Sequence, residues 1–355
     1  MGLLRISGVR IGGLVTVVPK NEVSLSDEAY LFDNNHAQID RLKATIGLDK
    51  RRVAPPGMTA NDMAEAAVRK LLEETETDPE SIDGIFMVTQ TPDYLQPGNA
   101  VLLQGRIGLP TTCAAMDFNL GCSGYVYGLW AAHSFIAGGG LKRVILVVGD
   151  TISQIVSKDD RALRPLFGDA ACATLLEADP SAPEALFDLQ SDGTGYESLW
   201  QPGGAFREPW SVESAEVKTL GEGIQRSRCN LHMDGAEIFN FSLKVEPKAI
   251  SDMFAATAWE PESVEGVVFH QANRYIIDNI RRRLKLPPEQ VPSGTVERFG
   301  NQSSASIPAT LTDHYGDKLT KASHRFFLSG FGVGLSWATC AVELPPLACN
   351  SLLEI

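Results

Sequence analysis

The chain has 355 residues, of which 44% are hydrophobic and 21% are charged. This composition is typical of a folded protein with two packed units, and it excludes disordered, collagen-like and small disulfide-linked classes. Acidic residues outnumber basic ones by 44 to 31, and the formal net charge of -13 argues against a nucleic-acid partner.

The first 19 residues are apolar but are interrupted by two arginines and four glycines, so they predict a buried strand and not a signal peptide. The most concentrated apolar strand, 144–148, is far shorter than the ~20 residues of a membrane span. The six cysteines form no CxxC pair and no metal-ligand cluster with histidine. We therefore expect a cytoplasmic protein with free thiols, no membrane segment and no metal.

Short aliphatic runs alternate with helical patterns along the chain, which predicts an α/β fold with mainly parallel sheets. Helices are predicted at 61–74, after Gly124, at 243–256 and after His270. The predicted strands are 82–89, 113–119, 144–148, 171–177, 264–269, 326–329 and 336–343.

A weak internal repeat divides the chain into two halves. DPESIDGIF at 78–86 returns 182 positions later as EPESVEGVV at 260–268. The same offset aligns two further strands and two helical stretches, which favours two duplicated βαβ-type halves. We therefore assign 1–178 to the first half, 179–222 to a Pro- and Gly-rich linker that also supplies site walls, and 223–355 to the second half.

Cys122 lies in the run NLGCSGY, between a predicted strand and a predicted helix. A single cysteine is more often a buried structural residue. Here, however, small neighbours leave room for a substrate carbonyl, and the positive end of the helix macrodipole is expected to favour the thiolate. Cys122 is therefore the candidate nucleophile.

His270 follows the apolar strand VVF, at the strand end where α/β sheets commonly bind ligands. A buried core histidine is the alternative interpretation. Asn301, in RFGNQSSASIP, corresponds to Asn119 under the 182-residue offset. Alone, a Gly-Asn pair indicates an ordinary turn, but the repeat brings Asn301 to the same kind of strand-to-helix turn as Cys122.

The glycine-rich run GFGVG at 330–334 enters a β-rich segment and not a helix, which argues against a dinucleotide-binding loop. Such a strand connection can instead present a backbone N–H to an oxyanion.

Together these motifs resemble those of the β-ketoacyl-acyl-carrier-protein synthase III family of thiolase-fold condensing enzymes. The resemblance covers GCSG, LFGDAACATLL, MDGAEIFNF, HQAN, GNQSSASIP and GFGVG, and it spans nearly the whole chain. It implies a five-layer αβαβα fold, a homodimer and a decarboxylative Claisen condensation that needs no cofactor.

The resemblance also implies the roles of individual residues. Cys122 would take the acyl group from a thioester such as acyl-coenzyme A, and His270 and Asn301 would donate hydrogen bonds to malonyl-acyl carrier protein. The oxyanion of the first step would be bound by the backbone N–H groups of Cys122 and Val333. Further substrate contacts carried over by motif are Arg161, Asn273, Phe331 and, at a gate contributed to the partner subunit, Gln96.

Two departures bear on the choice of substrate. Thr45 stands where an Arg of the family holds coenzyme A, and no Trp precedes it, which makes a carrier-bound acyl donor credible. Gln96 replaces a common Phe and changes the polarity or length of the acyl pocket.

The helix after His270 carries a basic stripe that we interpret as a docking site for acyl carrier protein, with a solvated helix face as the alternative. The stripe comprises Arg274, Arg281, Arg282 and Lys285.

Three other functions remain possible from the sequence. The acyl group could pass to an alcohol or amine, although such transfer has no use for two enolate donors. The chain could be a non-catalytic partner subunit, although the three candidate residues are present. A hydrolase is disfavoured, because no acidic residue is visible to orient His270 and GCSGY does not fit GxSxG.

Overall fold

The structure is a computed structural model that describes residues 3–355. Within that range the helices are α1 (His36–Ile46), α2 (Ala60–Glu74), α3 (Asn99–Ile107), α4 (Gly124–Ala137), α5 (Gly235–Thr257), α6 (Arg274–Leu284), α7 (Thr295–Phe299) and α8 (Ser306–Thr310). The strands are β1 (Leu4–Ile6), β2 (Val9–Val18), β3 (Glu22–Ser24), β4 (Lys50–Arg52), β5 (Gly84–Val88), β6 (Ala114–Phe118), β7 (Arg143–Asp150), β8 (Ala170–Ala178), β9 (Ala185–Ser191), β10 (Leu199–Trp200), β11 (Lys218–Gly221), β12 (Ile224–Arg226), β13 (His232–Met233), β14 (Gly266–Phe269), β15 (His324–Gly332), β16 (Ser336–Leu344) and β17 (Cys349–Glu354).

Two mixed sheets form the centre of the molecule. One has six strands in the order β17-β2-β8-β7-β5-β6, and the other has five in the order β1-β9-β16-β15-β14. In both sheets the strands nearest the site are parallel, since β5 pairs in parallel with β6 and β7, and β14 pairs in parallel with β15. Their carboxyl ends therefore point the same way, which brings the loops after β6 and β14 to the site.

The helices form three layers around the two sheets. The apolar side chains of α4 and α8 are buried in one core together with residues of both sheets. Helices α2 and α3 cover the outer face of the six-stranded sheet, and α5 and α6 cover the outer face of the other. The predicted five-layer αβαβα architecture is confirmed.

The internal repeat is visible in the structure. At an offset of 182 residues β5 corresponds to β14, α2 to most of α5, and β7 to β15. All seven predicted strands are present, with bounds that shift by at most three residues. The duplicated pattern of short buried strands was therefore sufficient to locate the elements that frame the site.

The chain termini depart from the predicted division. The predicted first strand is two strands, because Gly8 has a left-handed φ of 81° and separates β1 from β2. β1 then joins the sheet of the second half, whereas β17 from the C-terminus joins the sheet of the first half. The segment 179–222 is likewise more than a linker, because it contains β9, a central strand. Among residues 3–355 no helix is long and apolar enough to cross a bilayer.

Candidate active site

Cys122 lies in the turn between β6 and α4, two residues before the helix begins. The last residues of β15 pass directly over it. A Cβ atom added to Gly332 would lie 2.8 Å from the Cys122 Sγ, and one added to Gly330 would lie 2.5 Å from the Cys122 carbonyl oxygen. Glycine is needed at both positions, because any side chain would push the end of β15 away from the turn that carries the thiol.

Burial decides the protonation state of this thiol. Only 7% of Cys122 is exposed, and burial raises the pKa of the thiol to about 12. Backbone hydrogen bonds from Val333 and from Cys122 itself act in the opposite direction but are outweighed. The expected preference of the helix terminus for the thiolate is therefore outweighed by burial. The two backbone groups remain available to stabilise negative charge when it develops.

The reactivity of Cys122 is expected to follow this pKa. The rate of alkylation by iodoacetamide should rise about tenfold per pH unit between about pH 6 and about pH 9, because the thiolate fraction rises in that proportion below the pKa. Peptide mass spectrometry of a timed labelling series measures the rate at Cys122 alone. The half-buried Cys229 provides an internal reference. A plateau below about pH 8 contradicts the prediction.

His270 follows β14 and is 1% exposed. Its Nδ1 atom lies 2.7 Å from the Ser306 Oγ, and that oxygen also accepts the backbone N–H of Gln271. The Ser306 hydroxyl proton is therefore free to be donated to Nδ1, which leaves the proton of the neutral ring on Nε2. Burial lowers the pKa of His270 to about 3 and outweighs an opposing hydrogen bond to the Ser303 backbone, so the ring stays neutral with its N–H on Nε2.

Asn301 is held by its backbone and by one side-chain atom. Its N–H donates to the Leu166 carbonyl, and its carbonyl accepts from the Gly168 N–H. Its Oδ1 accepts the N–H of Ser303 at 3.0 Å. Its Nδ2 group makes no hydrogen bond within residues 3–355, and Asn301 lines the cavity described below, so Nδ2 is available as a donor there.

The three predicted catalytic residues open onto one cavity of about 530 Å³. Its wall is otherwise largely apolar. Beside the catalytic residues, the lining includes Ile46, Leu163, Leu166, Phe167, Leu199, Leu220, Ile224, Arg226, Met233, Ile238, Asn273, Ile276 and Phe331. A thiol and two hydrogen-bond donors thus share a space from which the surrounding side chains largely exclude water.

A second cavity, of about 470 Å³, reaches Cys122 from another direction. Cys122, Phe167 and Leu199 line both cavities. The lining of the second cavity mixes apolar and polar side chains, namely Gln90, Leu95, Asn119, Ile152, Ile155, Tyr196, Trp200, Gln201, Leu231, Ser303 and Val333. Cys122 therefore stands at the junction of two separate spaces.

The remaining predicted substrate residues divide into two groups. Asn273 and Phe331 line the first cavity, and Asn273 also caps α6 by accepting the Ile276 N–H. Arg161 and Gln96 line neither cavity. Arg161 packs beside Gly223 of the β11–β12 hairpin, and Gln96 is exposed next to Leu95 of the second cavity.

The basic stripe on α6 is only partly available for docking. Arg281 donates to the Leu286 carbonyl, and its side chain is 17% exposed. Arg274 contacts Glu297 and donates to the Ala44 carbonyl. Arg282 and Lys285 are exposed. The prediction of a uniform basic face needs correction, because Arg274 and Arg281 form contacts within the protein.

Three residues of the site were missed by the sequence analysis. Ser306 holds His270, Arg226 lines the first cavity, and Gln90 lines the second. Ser306 lies in the small-residue run after Asn301, so that run was a usable signal. Gln90 and Arg226 are placed by long-range packing, and nothing in their sequence surroundings indicates a site.

Both halves of the chain are similar to one family of known proteins. A family model described as 3-Oxoacyl-[acyl-carrier-protein (ACP)] synthase III matches residues 116–193, and the model for its C terminal part matches residues 254–344. The beta-ketoacyl-[acyl-carrier-protein] synthase III of Xanthomonas euvesicatoria is 33% identical over 334 residues, covering 94% of this chain and 98% of the relative. The chloroplastic enzyme of the same name from Arabidopsis thaliana is 34% identical over 345 residues, covering 95% of this chain and 83% of the relative.

Solved structures agree with the sequence relatives. The crystal structure of a 3-oxoacyl-(acyl-carrier protein) synthase from Burkholderia xenovorans superposes with a TM-score of 0.93 and 36% sequence identity. The match covers 100% of this chain and 99% of the other. The similarity therefore extends through both halves and all elements that carry the site.

Proposed function

Because this chain belongs to the β-ketoacyl-[acyl-carrier-protein] synthase III family, we propose that it joins an acyl group carried on Cys122 to a malonyl unit bound to acyl carrier protein. The observation that carries this proposal is the position of Cys122 at the junction of two cavities. One cavity can hold the acyl chain, and the other, which also exposes His270 and Asn301, can hold the arm of the thioester.

In the first half-reaction the Cys122 sulfur attacks the carbonyl of an acyl thioester. The carbon–sulfur bond to the donor breaks, and the thiol proton of Cys122 leaves with the donor as its free thiol. The backbone N–H groups of Cys122 and Val333 stabilise the negative oxygen of the tetrahedral intermediate. The resting thiol is protonated, so negative charge is required only while this intermediate forms.

In the second half-reaction the malonyl thioester loses carbon dioxide. The electron pair of the broken carbon–carbon bond forms an enolate, whose oxygen accepts hydrogen bonds from the His270 Nε2 and the Asn301 Nδ2. The enolate carbon then attacks the acyl group on Cys122, and the released sulfur takes up a proton from solvent. Decarboxylation supplies the carbanion, so we propose that neither a metal nor a redox cofactor takes part.

Product analysis tests this function directly. The protein is incubated with a panel of acyl-coenzyme A and acyl-carrier donors, and intact-protein mass spectrometry identifies the acyl group added to Cys122. Isotope-labelled malonyl-acyl carrier protein is then supplied. A labelled β-ketoacyl-carrier product with release of carbon dioxide supports condensation. An O-acyl or N-acyl product, or an acyl-enzyme that does not consume malonyl thioester, contradicts it.

We propose that acyl carrier protein docks beside the exposed end of α6. Arg282 and Lys285 supply positive charge on an otherwise acidic protein, and such charge complements an acidic carrier.

The charge reversals Arg282→Glu and Lys285→Glu together are expected to raise the KM for malonyl-acyl carrier protein about tenfold or more, because like charges then oppose docking. Steady-state kinetics over a salt series measure the effect. Acylation by coenzyme A thioesters should be unchanged. The matched control is Lys248→Glu, which reverses an exposed charge on α5. An unaltered KM in the double variant excludes this docking surface.

We propose that two copies associate through β6. This strand is the edge of the six-stranded sheet, and the nearby Tyr94, Leu95 and Val101 are exposed apolar side chains. Because the Ala114 N–H bonds to the Asp83 carbonyl on the β5 side, the Ala115 N–H points to the open edge. An open strand edge with apolar neighbours favours pairing with a second copy.

Sedimentation equilibrium should give twice the chain mass of 38.4 kDa. Ala115→Pro removes an edge donor and is expected to shift the population toward monomer. The control Ala182→Pro places the same residue in a partly buried turn outside β6, where it removes one N–H bond to the Asp179 carbonyl. A monomeric wild-type protein, or a variant that dimerises equally well, contradicts the proposal.

We place the reaction in the cytoplasm. All six cysteines are unpaired thiols in the structure, which is typical of proteins in a reducing compartment.

A further inference from the structure

Arg226 is the charged side chain in the wall of the first cavity. Every other residue that lines this cavity within the described range is uncharged. Arg226 is 7% exposed and lies on β12, in the hairpin that also contributes the exposed Leu220 to the cavity rim. Burial of a charged group lowers the stability of the fold unless its donors are matched by acceptors.

Within residues 3–355, only one of its donors is matched. The Arg226 Nε donates to the Asp160 carboxylate, which is fully buried. The other Asp160 oxygen accepts the backbone N–H groups of Ala162 and Leu163 at 2.9 and 3.2 Å. The terminal nitrogens of Arg226 make no hydrogen bond with residues 3–355. Four N–H bonds of the guanidinium are therefore left for an acceptor in the cavity.

Holding the hairpin in place does not require these free donors. The hairpin is already joined to the segment at Asp160 by a backbone bridge from Ile224 and by the hydrogen bond from the Arg161 N–H to the Gly223 carbonyl. The bond to Asp160 orients the guanidinium, and its planar terminal edge is left on the cavity side. This arrangement is typical of arginines that bind an oxyanion through two parallel N–H bonds.

We propose that Arg226 binds the phosphate of the phosphopantetheine arm as the thioester enters the cavity. The proposal rests on the proposed function, in which this cavity receives the arm. Phosphate is the anionic group of that arm, and it offers the paired oxygen acceptors that the guanidinium edge fits. The same phosphate occurs in coenzyme A and in acyl carrier protein, so both sources present the same chemistry.

The test compares malonyl thioesters with and without this phosphate. In Arg226→Met the KM for malonyl-phosphopantetheine is expected to rise about tenfold to hundredfold, as for loss of a hydrogen-bonded charge. The KM for malonyl-pantetheine, which lacks the phosphate, should change less than about twofold. Malonyl-coenzyme A and malonyl-acyl carrier protein should both respond, and a response to only one identifies the source that uses the site.

The control is Arg228→Met. Arg228 lies two residues after Arg226, is exposed and forms an ion pair with Glu208. Its KM values should match those of the wild type. If Arg226→Met fails to fold, Arg226→Lys replaces it, since it keeps the charge but loses the paired N–H edge. An equal rise for malonyl-pantetheine, or no rise for any substrate, overturns the proposal.

Binding can also be measured without turnover, which separates this proposal from the proposed function. Coenzyme A that occupies the cavity should protect Cys122 from iodoacetamide. The concentration needed for half-protection should rise at least tenfold in Arg226→Met and remain unchanged in Arg228→Met. This result can hold even if the enzyme fails to condense malonyl thioesters. Unchanged protection in Arg226→Met contradicts the assignment of Arg226.

Discussion

Replacement of Cys122 by alanine is expected to abolish the acyl-enzyme and to lower β-ketoacyl formation by at least about 10⁴-fold. The reason is that the acyl group can no longer be attached to the enzyme, so the enolate has no acyl thioester to attack. Intact-protein mass spectrometry after incubation with acyl thioesters measures the adduct, and product analysis measures condensation. The His270 and Asn301 donors remain in place, so carbon dioxide release from malonyl thioester should persist within about tenfold of the wild-type rate.

The matched control is Cys229→Ala, which removes a half-buried thiol outside both cavities. It should retain acylation and condensation. Thermal unfolding of both variants shows whether the fold is intact. An acyl adduct that persists in Cys122→Ala contradicts the assignment of the nucleophile, and adduct loss in Cys229→Ala contradicts it as well.

Removal of either enolate donor is expected to give the opposite pattern. In His270→Ala and in Asn301→Asp, decarboxylation of malonyl thioester should fall about 10²- to 10³-fold, which is the usual effect of losing one preorganised donor. Asn301→Asp keeps the size of the side chain and can still accept the Ser303 N–H, but it has no N–H to donate. Acylation of Cys122 should stay within about threefold of the wild-type rate, because that step uses backbone N–H groups.

Ser306→Ala provides a graded comparison. It removes the hydroxyl that contacts the His270 Nδ1 without changing the imidazole itself. Decarboxylation should fall about tenfold, because the ring loses its fixed tautomer and orientation. Labelled carbon dioxide release measures the second half-reaction, and the mass of the acyl-enzyme measures the first. If acylation and decarboxylation fall together in all three variants, the assignment of His270 and Asn301 to the decarboxylation step alone is wrong.

The candidate catalytic residues could be singled out in the sequence because their local surroundings carry a signal. Cys122 and His270 each follow a short apolar strand, and the carboxyl ends of neighbouring parallel strands lie on one side of a sheet. Asn301 was indicated by the 182-residue repeat, which relates its turn to the one before Cys122. The resemblance to a known family assigned chemistry to these positions, and the cavity that they share agrees with that assignment.

Other properties of the site depend on contacts between distant segments. Arg281 belongs to a regular basic stripe in the sequence, yet it donates to the carbonyl of Leu286 just beyond its own helix. Arg226 has no pattern around it, and only its contact with Asp160 gives it a place in the cavity wall. Gln90 reaches the second cavity because Gly121 leaves space for its side chain. Local spacing contains no information about such contacts.

The sequence by itself determined the α/β class and the duplication, and it singled out three candidate residues for the chemical step, because strand periodicity, turn residues and a repeated pattern can be read without the tertiary structure. The tertiary structure alone decided the protonation of Cys122, the exchange of terminal strands between the sheets, and the accessible part of the basic helix. Each of these depends on how much water and how many partners surround a group. That environment exists only after the two halves have packed together.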